Sequence, residues 1–229
     1  MIEMSNQDDD IIVGIDEAGR GPVIGPLVIC AYALPRKDLD LLKKHRVKDS
    51  KTLSKRRRFE LYAILVSIAA DYQTKHLSAA EIDELRKNHT LNVIEQKMML
   101  KLAKKIKQTP AEIYIDAADV NEKRFGKVFE TEFPKAKIIS KHKADILYPI
   151  VSAASIIAKN QRDDEIAKIS EKIGENIGSG YPADPITKKF LNNYYRKHKK
   201  FPPFVRESWD TAKKIRKELS ETKKLSEYF

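Results

Sequence analysis

Apolar residues come in short runs separated by charge, and their period changes from one stretch to the next. Ile11-Ile12-Val13-Gly14-Ile15 follows the acidic Asp8-Asp9-Asp10 and predicts a buried strand. A second run rich in β-formers covers residues 24–34, and its Gly25-Pro26 predicts a bulge or edge near the start. From Ser54 the period lengthens. Leu61, Ile64, Leu65 and Ile68 form one stripe, predicting a Ser54-capped helix to about Ala69. Residues 72–77 read as a third strand. Ser78 and Glu81 have the spacing of a capping box and open a short helix. A longer helix over residues 90–107 carries Leu91, Ile94, Met98 and Leu102 on one face. A fourth strand, residues 112–116, ends on a carboxylate, and a helix over about 123–133 leads to a fifth strand near 136–140. A long helix is predicted over 149–173. Asp184-Pro185 opens another to about His198, and a basic helix covers about 210–221. This order predicts an α/β fold with a mixed five-stranded central sheet flanked by helices, followed by a helical C-terminal part.

Composition narrows the function classes. The 229 residues are 41% hydrophobic and 34% charged, with a formal net charge of +11. The excess is local. Residues 43–58 hold nine basic residues and one acidic, and residues 185–229 hold thirteen and five. Such patches suit a polyanion such as nucleic acid, although a solvated surface carries similar charge. The longest uncharged stretch, residues 21–35, has 15 residues with two Gly and three Pro. A spanning helix needs about 20 apolar residues, so no membrane association is expected. The N-terminus lacks a signal-peptide pattern, and Cys30 stands alone, so no intrachain disulfide forms. Both features fit a cytoplasmic protein. The five histidines are scattered, so a catalytic metal would need carboxylate ligands.

Two carboxylates stand out. Asp16 and Asp116 each follow an apolar strand run, where an unpartnered acid is unfavourable. Two strands ending on Asp can converge at one sheet edge, and their mutual repulsion is relieved by a cation. Carboxylate oxygens suit Mg²⁺ or Mn²⁺. A turn-starting or helix-capping role is open for each Asp taken singly. Adjacent strand residues face opposite ways, so Asp16 and Glu17 enter one site only if the backbone bends near Gly19 and Gly21; otherwise Glu17 acts less directly, through its main-chain carbonyl.

The string Gly14-Ile15-Asp16-Glu17-Ala18-Gly19-Arg20-Gly21-Pro22 resembles the signature of type 2 ribonucleases H, the ribonuclease HII family. Further segments resemble that family in order: Lys48-Asp49-Ser50-Lys51-Thr52-Leu53-Ser54, then Ile115-Asp116-Ala117-Ala118-Asp119-Val120. Lys143-Ala144-Asp145 leads into Ser152-Ala153-Ala154-Ser155 and Ala158-Lys159, and Gly178-Ser179-Gly180-Tyr181-Pro182 closes the series. The 29-residue spacing from Asp116 to Asp145 and the segment Val205-Arg206-Glu207-Ser208-Trp209 resemble the archaeal form. Asn160-Gln161 and Asp164 depart from the basic residues usual there.

The resemblance implies a ribonuclease-H-like catalytic domain over residues 8–200 and a basic helical extension and tail over 201–229. It implies a four-carboxylate site of Asp16, Glu17, Asp116 and Asp145, holding two Mg²⁺ or Mn²⁺ ions about 4 Å apart. Asp119 is expected to orient the following turn. The implied activity is endonucleolytic cleavage of the RNA strand of RNA/DNA hybrids, and at ribonucleotides embedded in duplex DNA, leaving 5′-phosphate and 3′-hydroxyl ends. Gly19, Arg20, Gly21 and Tyr181 would read the 2′-hydroxyl that separates RNA from DNA. Ser50, Lys51 and Lys143 would contact phosphate. The terminal Thr222-Lys223-Lys224-Leu225-Ser226-Glu227-Tyr228-Phe229 resembles a sliding-clamp-binding box, with Leu225, Tyr228 and Phe229 as its apolar contacts and Thr222 in place of the usual Gln. A monomer is expected. Another ribonuclease-H-like nuclease and a non-catalytic hybrid-binding module are the competing readings.

Overall fold

A computed structural model describes residues 7–47 and 53–226, with side chains described as far as residue 220. Its sheet contains β1 (Ile11–Ala18), β2 (Leu27–Pro35), β3 (Asp71–Leu77), β4 (Pro110–Asp116) and β5 (Lys137–Lys141), in the order β3-β2-β1-β4-β5. β1 is antiparallel to β2 and parallel to β4, and β4 is parallel to β5, so the sheet is mixed as expected. Among the described residues the helices are α1 (Leu39–Lys44), α2 (Lys55–Ile68), α3 (Ala79–Leu85), α4 (Leu91–Ala103), α5 (Glu122–Glu132), α6 (Ala144–Leu147), α7 (Pro149–Ile173), α8 (Pro185–His198) and α9 (Asp210–Ser226).

Local chemistry accounts for most helix starts. The Ser54 hydroxyl accepts from Arg57 N, Ser78 and Glu81 form the full capping box, and the Asp184 carboxylate accepts from Ile186 N with Pro185 in the first turn. Three expectations are corrected. Asp16 does not end its strand: β1 continues through Glu17 and Ala18, because β2 keeps pairing with it to Ala18↔Val28. β2 starts at Leu27, and Ile24 instead forms an isolated bridge with Val205. On α4 the buried residues include Met99 rather than Met98, because that face also carries buried Glu95, an acid where the sequence pattern predicts an apolar residue. The short α1 and α6 were not expected; four to six residues are too few to establish a period.

The chain divides into two compact units. One comprises the described residues within Met1–Ala18, Val28–Lys75 and Thr90–Gln161. Its core joins β1 and β2 residues such as Ile12, Cys30 and Leu34 to Val151–Ala158 of α7 and to Leu61 and Leu65 of α2. This half of the helix is enclosed on every side, with Ser152 and Ser155 buried among its apolar residues. Asn160 follows in α7, and its side-chain amide donates to the Arg58 and Ile156 carbonyls, which ties α7 to α2. The other unit comprises the described residues within Gly19–Leu27, His76–His89 and Arg162–Phe229, around a core of Val23, Ile24, Ile177, Phe190, Leu191 and Ala212.

Candidate active site

Register places the acids. β1 pairs with β4 in parallel up to Ile15↔Ile115, so Asp16 and Asp116 follow on neighbouring strands. β4 stops at Asp116 while β1 runs on, which leaves Asp16 buried inside its strand beside the end of its neighbour. Asp145 is reached through β5 and a turn. Lys143 takes a left-handed conformation (φ 55°) at the N-terminus of α6, and Ala144 N donates to Asp116 Oδ1 at 3.1 Å. That bond ties the fourth-strand acid to the helix carrying Asp145.

One oxygen from each of Asp16, Asp116 and Asp145 lies within 4.8 Å of the other two. Asp16 and Asp145 are buried and Asp116 is half-buried. Burial, then the charges of Glu17 and Asp116, hold the Asp16 carboxyl well above the usual carboxylate range. A hydrogen bond from Ser155 and the Lys159 ammonium oppose that rise. Crowded, desolvated carboxylates of this kind are unfavourable until a cation neutralises them. An all-oxygen donor set fits a hard divalent ion and lacks the nitrogen or sulfur ligands of zinc sites. Glu17 stays outside this triad, as strand alternation requires, yet its charge is felt at Asp16.

The recognition candidates sit in the second unit. Gly19 has φ +89°, a conformation that side chains resist, and it starts the loop after β1. Arg206, fully buried, holds this loop: its guanidinium donates to the carbonyls of Gly19 (2.7 Å), Arg20 (3.2 Å) and Gly25 (3.0 Å). Its charge also stacks 4.8 Å from the ring centroid of Trp209, whose indole N–H donates to the Gly21 carbonyl. The Gly178–Pro182 segment packs here too. Gly180 O accepts from Val23 N and Ile24 N, and the Tyr181 ring lies 3.6 Å from where a β-carbon on Gly21 would stand. Arg162 stacks on the Tyr181 ring at 5.1 Å and donates to Ser179 O. Asp184 Oδ2 accepts from both the amide and the hydroxyl of Ser179, which lowers its carboxyl to about 2.

The structure thus brings Asp16, Asp116 and Asp145 together in one unit and Gly19, Arg20, Gly21 and Tyr181 together in the other. Lys143 is exposed, two residues before Asp145. Asp119 stays out of the cluster, accepting from Asn121 N and pairing with Arg124. Ser50, Lys51, Tyr228 and Phe229 lie outside the described residues, as does the side chain of Leu225. Ser155, Lys159, Arg162 and Arg206 were not singled out as site residues from the sequence. Ser155 and Lys159 stand at i, i+4 on a helix, a spacing that puts them on one face; Arg206 gives no such local signal.

Comparison with known proteins shows the family. The sequence profile described as ribonuclease HII matches residues 13–212. Ribonuclease HII of Pyrococcus furiosus is 46% identical over 213 residues, which are 93% of this chain and 94% of that one. The crystal structure of ribonuclease H2 from Pyrococcus horikoshii OT3 has a TM-score of 0.86 at 44% identity, covering 92% of this chain and 99% of that one. A PCNA:ribonuclease HII complex from Archaeoglobus fulgidus has a TM-score of 0.79 at 38% identity, covering 87% and 95%.

Proposed function

Since the chain belongs to the ribonuclease HII family, we propose that Asp16, Asp116 and Asp145, with Glu17 beside them, are the carboxylates of its active site. The protein is a divalent-metal-dependent endoribonuclease of the ribonuclease H class. It hydrolyses the RNA strand of RNA/DNA hybrids and cuts at ribonucleotides embedded in duplex DNA, leaving 5′-phosphate and 3′-hydroxyl ends. The observation that carries the site assignment is three carboxylates within 4.8 Å of one another, two of them buried.

The three aspartates would hold two ions, Mg²⁺ or Mn²⁺. Bound there, the ions supply water activation and stabilisation of the leaving 3′ oxygen. The chain's own groups do the rest. Ser155 and Lys159 oppose the rise of the Asp16 carboxyl and favour its ionised, ligating form. Gly19, Arg20 and Gly21, fixed by Arg206 and Trp209, present backbone groups to the 2′-hydroxyl, and the Tyr181 hydroxyl reads it as well. Lys143 contacts phosphate, and Ser50 and Lys51 are assigned the same task from their motif.

The test is a duplex carrying one ribonucleotide, incubated with Mg²⁺, with Mn²⁺ and with EDTA. Cut product is expected only with metal; binding without cutting in either metal would establish a hybrid-binding module instead. In the same assay Tyr181→Phe should cut the lone ribonucleotide at least about tenfold more slowly, the scale of one missing hydrogen bond. Unchanged kinetics would remove Tyr181 from the recognition site.

The tail extends the reading to a partner. Leu225, Tyr228 and Phe229 dock on a sliding clamp, a proposal supported by their motif and by the relative solved with PCNA. Immobilised clamp should retain the full chain and not one lacking residues 222–229; equal retention ends the idea.

A further inference from the structure

Within the first unit, a groove of about 540 Å³ runs between α5 and β5. Its lining comprises Lys123, Gly126, Lys127 and Glu130 from the helix and Ile138 to Lys141 from the strand. Gly126 sets the depth of the groove: a β-carbon there would stand 2.9 Å from that of Ser140, so helix and strand approach this closely only with glycine. Lys123 and Lys127, both exposed, stand at i, i+4 and share this face. Neither forms an ion pair among the described residues. Lys141 adds a third cation, paired with Glu122 at 3.2 Å. Ser140 contributes a buried hydroxyl that finds no hydrogen-bond partner. Buried polar groups are ordinarily satisfied, so this hydroxyl has unused capacity for a bond to a ligand oxygen or a water.

We propose that the α5–β5 groove is a phosphate-binding site, in which Lys123, Lys127 and the Ser140 hydroxyl hold a backbone phosphate of the nucleic acid at a distance from the cut. The inference rests on the ribonuclease H reading and adds a phosphate site to it. Location supports it, because Lys141 at one end of the groove pairs in register with Asp116, so the groove runs along β5 away from the strand end that carries this acid. An extended peptide is the other chemistry an open strand edge attracts. Here Lys137 and Lys141, exposed at both ends of β5, oppose strand addition and favour an anion. Phosphate contacts of this kind fix register and orientation without reading sequence.

The test is binding of a hybrid duplex in EDTA, where no cutting occurs, over a range of salt concentrations. Removing one cation that neutralises a phosphate lowers the slope of log K against log salt by about 0.9. The double variant Lys123→Ala, Lys127→Ala should therefore reduce the slope by about 1.8 and weaken binding roughly 10- to 60-fold at about 0.1 M salt. Lys123→Arg, Lys127→Arg should keep the slope. Ser140→Ala should weaken binding several-fold with the slope kept, since it removes no charge. Lys101→Ala, Lys105→Ala removes the same charge outside the groove and should also keep the slope. Alanine is the best helix former, so the exposed α5 positions tolerate it. A slope in the α5 variant equal to that of the wild type overturns the proposal and leaves the edge to a peptide. Failure of the ribonuclease reading looks different: the wild type itself would leave hybrids uncut in metal.

Discussion

Asp16→Asn is expected to lower turnover by at least about three orders of magnitude, because a ligating charge worth several kcal/mol in the transition state is removed. Duplex binding in EDTA should persist, since phosphate binding does not use this carboxylate. The same variant has a second signature in stability. Burial, Glu17 and Asp116 raise the Asp16 carboxyl in the folded state. A carboxyl raised on folding favours the native state while it is protonated. The native state loses stability as pH rises above the unfolded value near 3.8, and the loss is complete once pH passes the folded value. Asparagine escapes that loss, so metal-free Asp16→Asn should melt above the metal-free wild type at neutral pH. Added Mg²⁺ should raise the wild-type midpoint and raise the variant's less. Retained turnover, or equal metal-induced shifts, would remove Asp16 from the metal site.

Arg206→Ala should be the most destabilising single truncation in the second unit. It strands the carbonyls of Gly19, Arg20 and Gly25, which are bonded to one fully buried guanidinium. Leaving a buried acceptor unpaired costs about 1–3 kcal/mol, so three carbonyls, partly rescued by water, cost about 3–5 kcal/mol together. For a chain of this size that lowers the melting temperature by roughly 6–20 °C. Lysine keeps the charge without the fork and cannot reach three carbonyls at once, so Arg206→Lys should fall between the two. Wherever the variants fold, cleavage at a lone ribonucleotide should fall further than duplex affinity, since the loop they release is the one assigned to the 2′-hydroxyl. A melting temperature within about 2 °C of wild type would show that the loop does not depend on Arg206.

Much of this was legible in the chain. Alternation and period located all five strands, since apolar burial and β-propensity act within a few residues. Cap chemistry located the starts of α2, α3 and α8, because Ser54, Ser78 and Asp184 act on amides two or three residues away; the Thr90 cap of α4 emerged only in the structure. The ordered motifs identified the family. What misled was local as well. Glu95 hides the buried face of α4, and four-residue α6 has no period to detect, although it carries Asp145.

Sequence by itself determined which residues could do the chemistry: carboxylates where apolar strands call for none, a glycine loop, and cations gathered in two segments. Tertiary structure alone decided which of them meet. The parallel register of β1 and β4 puts Asp16 beside Asp116, and the bond from the Ala144 amide to Asp116, 28 residues back along the chain, brings the neighbouring Asp145 to them. Arg206 reaches the Gly19 carbonyl across 187 residues. Such contacts leave no periodic trace, because strand register and a buried guanidinium's acceptors are fixed by packing between distant segments. The acids are chosen by their charge, and their spacing is set by the sheet.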